Sequence, residues 1–84
     1  MNYNDILIER IRSLCEWESL SYTKLAKYSN LNQSTIDNIV RGNTKNPGII
    51  TLHRIASGFR MTLSEFLDIK ELNEYEFESK DDNE

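Results

Sequence analysis

The sequence has few of the residues that build metal centres and disulfides. Cys15 is the only cysteine and His53 the only histidine among 84 residues. A single cysteine excludes an intramolecular disulfide, and structural zinc sites use about four Cys or His ligands. The chain also lacks a nucleophile elbow and a Gly-rich phosphate loop. We therefore expect no metal site, no cofactor, no catalytic residues and no enzyme activity.

Long apolar segments are also missing. No apolar run approaches the roughly 18 residues that a membrane span needs. The first ten residues, MNYNDILIER, lack the basic and apolar regions of a secretory signal. We therefore expect a cytoplasmic protein with no membrane partner, in which Cys15 is a small buried apolar residue. The length allows one domain with a small core.

Charge is unevenly distributed along the chain. Residues 1–70 contain nine Lys or Arg and seven Asp or Glu, whereas residues 71–84 contain one Lys and seven Asp or Glu. The net charge of −4 therefore combines a mildly basic body with an acidic tail. Such asymmetry is typical of proteins that bind nucleic acid or act through a tail. We expect a folded domain over 1–70 and an acidic tail over 71–84. Residues 74–78 of that tail alternate like a strand, and residues 80–84 have a disordered composition.

Five short helices are predicted from apolar spacing and turn-forming residues. No strand signal appears within residues 1–70, so the expected fold class is all-α. Several side chains are placed to cap these helices: Asn4 or Asp5, Ser21, Asn32, and Thr62 paired with Glu65. The helices cover about residues 4–18, 21–29, 33–40 and 49–59, with a last helix from residue 62.

The third helix has two faces of different chemistry. Its apolar residues Ile36, Ile39 and Val40 follow helical spacing and are expected to face the core. The opposite face carries short, uncharged side chains near the N-terminus of the helix. Gln and Asn can pair with adenine through two hydrogen bonds, and Ser or Thr can bond several bases. This face therefore favours a helix that enters the DNA major groove, and the alternative is a merely solvated surface.

The chain resembles the Cro/repressor-type helix-turn-helix family, also called XRE. The resemblance is carried by the run SYTKLAKYSNLNQSTIDNIVRGNTKNP, followed by LHRIASGFRMTLSEFL. It spans about residues 5–69 and implies a compact five-helix, lambda-repressor-like domain. The matching features are Leu25-Ala26, Ile36, Arg41-Gly42, Pro47, Ala56, Leu63 and Phe66-Leu67.

The resemblance also implies roles for individual residues. Many family members have Gln where this chain has Tyr22, although a tyrosine hydroxyl can still donate to phosphate. The residues expected to contact base edges are Gln33, Ser34 and Asn38, with Thr35 as a secondary member. The residues expected to contact phosphate are Ser21, Tyr22, Arg41, Asn43, Thr44 and Lys45.

Two classes of function follow from this pattern. The first is a sequence-specific regulator of transcription, which represses as a homodimer on palindromic double-stranded DNA with half-sites about 34 Å apart. The second is a protein-interaction module, such as an antitoxin whose acidic tail folds on a toxin partner. The tail can instead lower non-specific DNA binding by repulsion, mediate dimerisation, or act only as a solubilising end.

Overall fold

A computed structural model describes residues 1–78, which form six helices joined by short turns. No strand occurs in this range, so the all-α fold class is confirmed. The expected disordered end at residues 80–84 lies outside the described residues. None of the helices between residues 1 and 78 is long and apolar enough to span a membrane. The helices are α1 (Tyr3–Glu18), α2 (Tyr22–Ser29), α3 (Gln33–Val40), α4 (Ile49–Gly58), α5 (Leu63–Leu67) and α6 (Lys70–Asn73).

Several helix ends are set by the residues that the sequence indicates. The Ser21 hydroxyl accepts a hydrogen bond from the Lys24 backbone N–H at 3.1 Å and caps α2. Thr62 and Glu65 form the predicted capping box at the start of α5. Asn30 ends α2 with a φ of 57°, and Gly42 follows α3 with a φ of 81°. Asn and Gly are the residues that tolerate this left-handed backbone.

Two capping predictions are wrong. Helix α1 begins at Tyr3, so its cap is Asn2, whose side chain accepts from the Asp5 N–H at 2.8 Å. The Asp5 carboxylate accepts from the Asn2 N–H in return, because the two residues have the three-residue spacing of a capping box. Asn4 instead donates to the Thr44 carbonyl at 3.2 Å. Asn32 occupies the N-cap position of α3, but its side chain makes no capping hydrogen bond.

One hydrophobic core joins all six helices of residues 1–78. Burial of one large aliphatic or aromatic side chain in such a core contributes about 1.5–3 kcal/mol to the stability of the folded state. Cys15 lies in the same core, as expected. Burial raises the pKa of its thiol from 9.0 to about 11, with a smaller contribution from the Glu18 carboxylate. The largest fully buried side chains are Ile11, Leu25, Ile36, Ile39, Ile55 and Phe66.

Helices α2 and α4 approach each other closely at Gly58. A Cβ atom at this position would overlap Ser29 Oγ and lie 3.2 Å from both Leu25 Cδ1 and the Ser29 backbone nitrogen. Such distances are shorter than ordinary van der Waals contact. The absence of a side chain at Gly58 therefore lets α4 hold α2 in place, and α2 in turn packs against α3.

The chain continues past residue 70 as α6 and a segment without regular structure. Helix α6 is one more than the five helices predicted, because a four-residue helix is too short to show an apolar period. Its Leu72 is buried in the core. The strand allowed by the alternation at 74–78 is absent there. Instead, the Tyr75 and Phe77 rings contact the Tyr3 ring, with centroids 5.1 Å and 5.6 Å from it.

Candidate nucleic-acid interface

Helix α3 presents a polar face to solvent. Its three apolar residues are all buried, as predicted. On the opposite side Gln33, Ser34 and Asn38 are exposed and Thr35 is half-buried. The Asn32 side chain makes no capping hydrogen bond, and the Thr35 N–H donates to the Asn32 backbone carbonyl at 3.0 Å. This leaves the N–H groups of Gln33 and Ser34 at the start of α3 without a cap from Asn32. The helix therefore offers amide and hydroxyl groups together with the partial positive charge of its N-terminus.

Asn38 organises the turn that follows α3. Its backbone carbonyl accepts hydrogen bonds from the N–H groups of Asn43 at 2.8 Å and Thr44 at 3.2 Å. Its side-chain Oδ1 accepts from Asn43 Nδ2 at 3.3 Å. The Asn38 side chain keeps both of its N–H donors and the second lone pair of Oδ1. The predicted base-contacting Asn38 and the predicted phosphate-contacting Asn43 are therefore one hydrogen-bonded unit.

The start of α2 forms a second polar group together with α1. Exposed Ser21 and half-buried Tyr22 line an open cavity of about 610 Å³, to which α1 contributes Arg12. Arg12 Nη2 donates to the Val40 carbonyl at 3.3 Å, which holds the guanidinium near the end of α3. Ser21 accepts a hydrogen bond as a cap, so its O–H remains available as a donor.

Arg12 is a member of this second polar group that the sequence pattern does not indicate, because it lies outside the α2–α3 run that carries the polar residues. Its neighbour Arg10 has different partners. Arg10 Nε donates to the Phe66 carbonyl at 2.8 Å and its Nη2 donates to the Glu65 carbonyl at 3.0 Å. Residues two apart do not share a helix face. The two-residue spacing is the only feature of the sequence that indicates different surroundings for Arg12 and Arg10.

The loop between α3 and α4 forms a third polar group. Arg41, Asn43 and Lys45 are exposed, whereas Thr44 is half-buried. The Asn4 side chain donates to the Thr44 carbonyl, so the first turn of α1 braces the loop. The backbone N–H groups of Asn43 and Thr44 are already used within the chain. This leaves the side chains of the loop, rather than these two amides, to meet an external anion.

No group of three or more His, Cys, Asp or Glu side chains within residues 1–78 is arranged to hold a metal ion. His53 is exposed on α4. The side chains that α3, the start of α2 and the loop present are mainly amides, hydroxyls and basic groups, together with the carboxylates of Asp37 and Glu16. The amides, hydroxyls and basic groups match the base edges and phosphates of DNA.

Comparison with known proteins gives a family match and a structural match. A family model described as helix-turn-helix matches residues 11–66, which is more than half of the chain. The crystal structure of the prophage Lp1 protein 11 superimposes with a TM-score of 0.75 at 24% sequence identity. That match covers 86% of this chain and 95% of the prophage protein, and it shows a shared fold. No curated protein matches the chain.

Proposed function

The chain belongs to the XRE-type helix-turn-helix family of DNA-binding transcriptional regulators, and from that premise we propose that α3 reads base edges in the major groove of a palindromic site. The supporting observation is that α3 is amphipathic: it buries its apolar residues and exposes Gln33, Ser34 and Asn38. In a helix-turn-helix, the second helix enters the groove with its N-terminal residues on the bases. The exposed residues of α3 begin at that end of the helix.

The base contacts are assigned by the chemistry of each side chain. Gln33 suits a bidentate contact with adenine, and Ser34 offers a hydroxyl that both donates and accepts. Asn38 keeps both N–H donors and one acceptor lone pair while Asn43 restrains its amide. Pre-ordering of this kind lowers the entropy lost when the amide pairs with a base. Half-buried Thr35 is a secondary contact.

The phosphate contacts are assigned to the two flanking groups. At the start of α2, the hydroxyls of Ser21 and Tyr22 are donors, and the same cavity is lined by the positively charged Arg12 and the negatively charged Glu16. At the loop between α3 and α4, the donors are the side chains of four residues. Such contacts fix the register of the protein on the duplex and make affinity fall with salt. The loop residues are Arg41, Asn43, Thr44 and Lys45.

The test compares one base-contacting and one phosphate-contacting variant on a site selected from random DNA. Gln33→Ala is expected to lose about 1–3 kcal/mol on the preferred site and to relax the preference at one base pair. Lys45→Ala is expected to weaken all duplexes alike and to lower the salt dependence. A Gln33→Ala protein with an unchanged base preference, or a Lys45→Ala protein with a selective loss, contradicts the assignment.

The homodimer is proposed to form next to the loop, through the start of α4. Ile49 and Ile50 are adjacent in the chain and are 59% and 70% exposed. Exposed apolar patches mark interaction sites, and a dimer on a palindromic site must present its two α3 helices about one helical turn apart. Ile50→Glu is expected to yield a monomer in sedimentation analysis. Trp17→Glu, at an 86% exposed residue of α1, is the matched control and is expected to leave the dimer intact.

Repression is proposed as the sign of regulation. A domain of this size has little surface to spare beyond its DNA and dimer contacts, which favours occlusion of a promoter over recruitment of polymerase. A reporter gene with the selected site overlapping its promoter is expected to lose expression when the protein is produced. A rise in expression contradicts repression and leaves DNA binding intact.

A further inference from the structure

We propose that the C-terminal segment 74–78 docks beside the DNA-contacting loop and lowers affinity for DNA of any sequence. The proposal rests on the proposed function, because it assigns a regulator to the same DNA-binding surface. It goes beyond an acidic composition, since the structure gives the segment a defined docking site. Three features support it: an aromatic contact, a cavity shared with the loop, and two carboxylates within the segment.

The aromatic contact holds the segment to the first turn of α1. The Tyr75 ring meets the Tyr3 ring edge-on, with centroids 5.1 Å apart, and the Phe77 ring stacks on Tyr3 at 5.6 Å. Tyr75 and Phe77 also contact each other at 4.8 Å. These separations lie within the range of attractive aromatic pairs. Leu72, buried in the core just before them, fixes where the segment starts.

The shared cavity connects this aromatic group to the loop. Phe77 and Tyr3 line a cavity of about 320 Å³ whose other wall includes Lys45, Asn46 and Pro47. The neighbouring Asn4 also donates to the Thr44 carbonyl in the loop. The first turn of α1 therefore touches both the docked segment and the loop proposed to meet phosphate.

The docked segment carries two carboxylates next to its cavity-lining ring. Glu76 and Glu78 flank Phe77 and are both exposed. Each is the immediate chain neighbour of Phe77, which lines the same cavity as Lys45. Charges that lie within the Debye length, about 10 Å at 0.1 M salt, are only partly screened from each other. A DNA backbone that approaches Lys45 therefore meets negative charge as well, and this repulsion is independent of sequence.

The first experiment changes the charge while retaining the docking rings. The full-length Glu76→Gln/Glu78→Gln variant is compared with wild type by fluorescence anisotropy on a labelled duplex of random sequence. The variant is expected to bind about threefold or more tightly at low salt, and the ratio is expected to shrink as salt rises because screening removes the repulsion. The matched control is Glu9→Gln/Glu71→Gln, which removes two exposed carboxylates that line a different cavity. It is expected to change affinity much less.

The second experiment keeps the charge and removes the docking rings. Tyr75→Ser/Phe77→Ser is expected to bind random DNA more tightly than wild type, because the carboxylates are no longer held beside Lys45. Weaker binding by this variant overturns the inference. So does a charge variant that binds no more tightly than the Glu9/Glu71 control. These failures leave the proposed function standing, provided that wild type binds a selected site with a base preference. Absence of any DNA binding by wild type and variants refutes the proposed function, and the inference with it.

Discussion

Substitution of Gly58 tests the packing that positions α2. In Gly58→Ala the new Cβ overlaps Ser29 Oγ and lies 3.2 Å from Leu25 Cδ1 and from the Ser29 nitrogen. Overpacking of this kind costs about 1–3 kcal/mol. Replacing glycine with alanine in a helix returns at most about 1 kcal/mol, and Gly58 is the last residue of α4. We therefore expect a net destabilisation of about 1–2 kcal/mol.

The assay is urea unfolding followed by far-UV circular dichroism, with a second glycine as the control. At Gly48 an added Cβ meets nothing within 4 Å, and φ is −70°. Gly48 is the N-cap of α4, where Ala is less favourable than Gly, but Ala also lowers the entropy of the unfolded chain. Gly48→Ala is therefore expected to change the free energy of unfolding by less than about 1 kcal/mol. If Gly58→Ala is as stable as Gly48→Ala, the close approach of α2 and α4 is refuted.

A double substitution identifies the atom responsible. Ser29 Oγ is buried and has no hydrogen-bond partner among the described residues, so Ser29→Ala is expected to be close to neutral. In the Ser29→Ala background the overlapping oxygen is gone and only the two 3.2 Å contacts remain. The cost of Gly58→Ala is therefore expected to fall in that background. An unchanged cost assigns the strain to the backbone or to Leu25 instead.

Two further predictions concern backbone strain and pH. Gly42→Ala is expected to cost about 1–2 kcal/mol in urea unfolding, because φ is 81° while the nearest atom to an added Cβ is 4.0 Å away. A neutral effect would contradict the left-handed turn after α3. The Cys15 pKa of about 11 exceeds its ordinary value of 9.0, so the unfolded chain loses its proton first and stability is expected to fall between about pH 9 and 11. Cys15→Ala is expected to remove this part of the pH dependence, and an identical profile in that variant would refute the assignment to the thiol.

The parts that the sequence predicted well are those fixed by local interactions. Ser21 caps α2 through a contact three residues away, and Gly42 adopts a backbone conformation that other residues resist. The apolar spacing of α3 likewise determines which of its faces is buried. A solvated helix face and a helix face that reads the DNA groove have the same local pattern of polar residues. The DNA-binding role of the polar face of α3 was therefore predicted from the family resemblance.

The parts that the sequence did not predict depend on contacts between distant segments. Arg12 reaches Val40 across 28 residues, and Asn4 reaches Thr44 across 40 residues. No periodicity within a short window contains such pairs. The acidic composition after residue 70 likewise gave no indication that Leu72 is buried, because a single leucine hardly changes the mean hydropathy of its segment.

The most direct test of the central claim is a parallel selection of double-stranded DNA sites from a random pool. Wild type and Gln33→Ala are selected side by side at near-physiological salt. We predict that wild type enriches a palindrome with half-sites about one helical turn apart, and that Gln33→Ala enriches the same palindrome with the preference lost at one symmetric position. Enrichment of no sequence by wild type, or of an identical sequence by both proteins, would contradict base reading by α3.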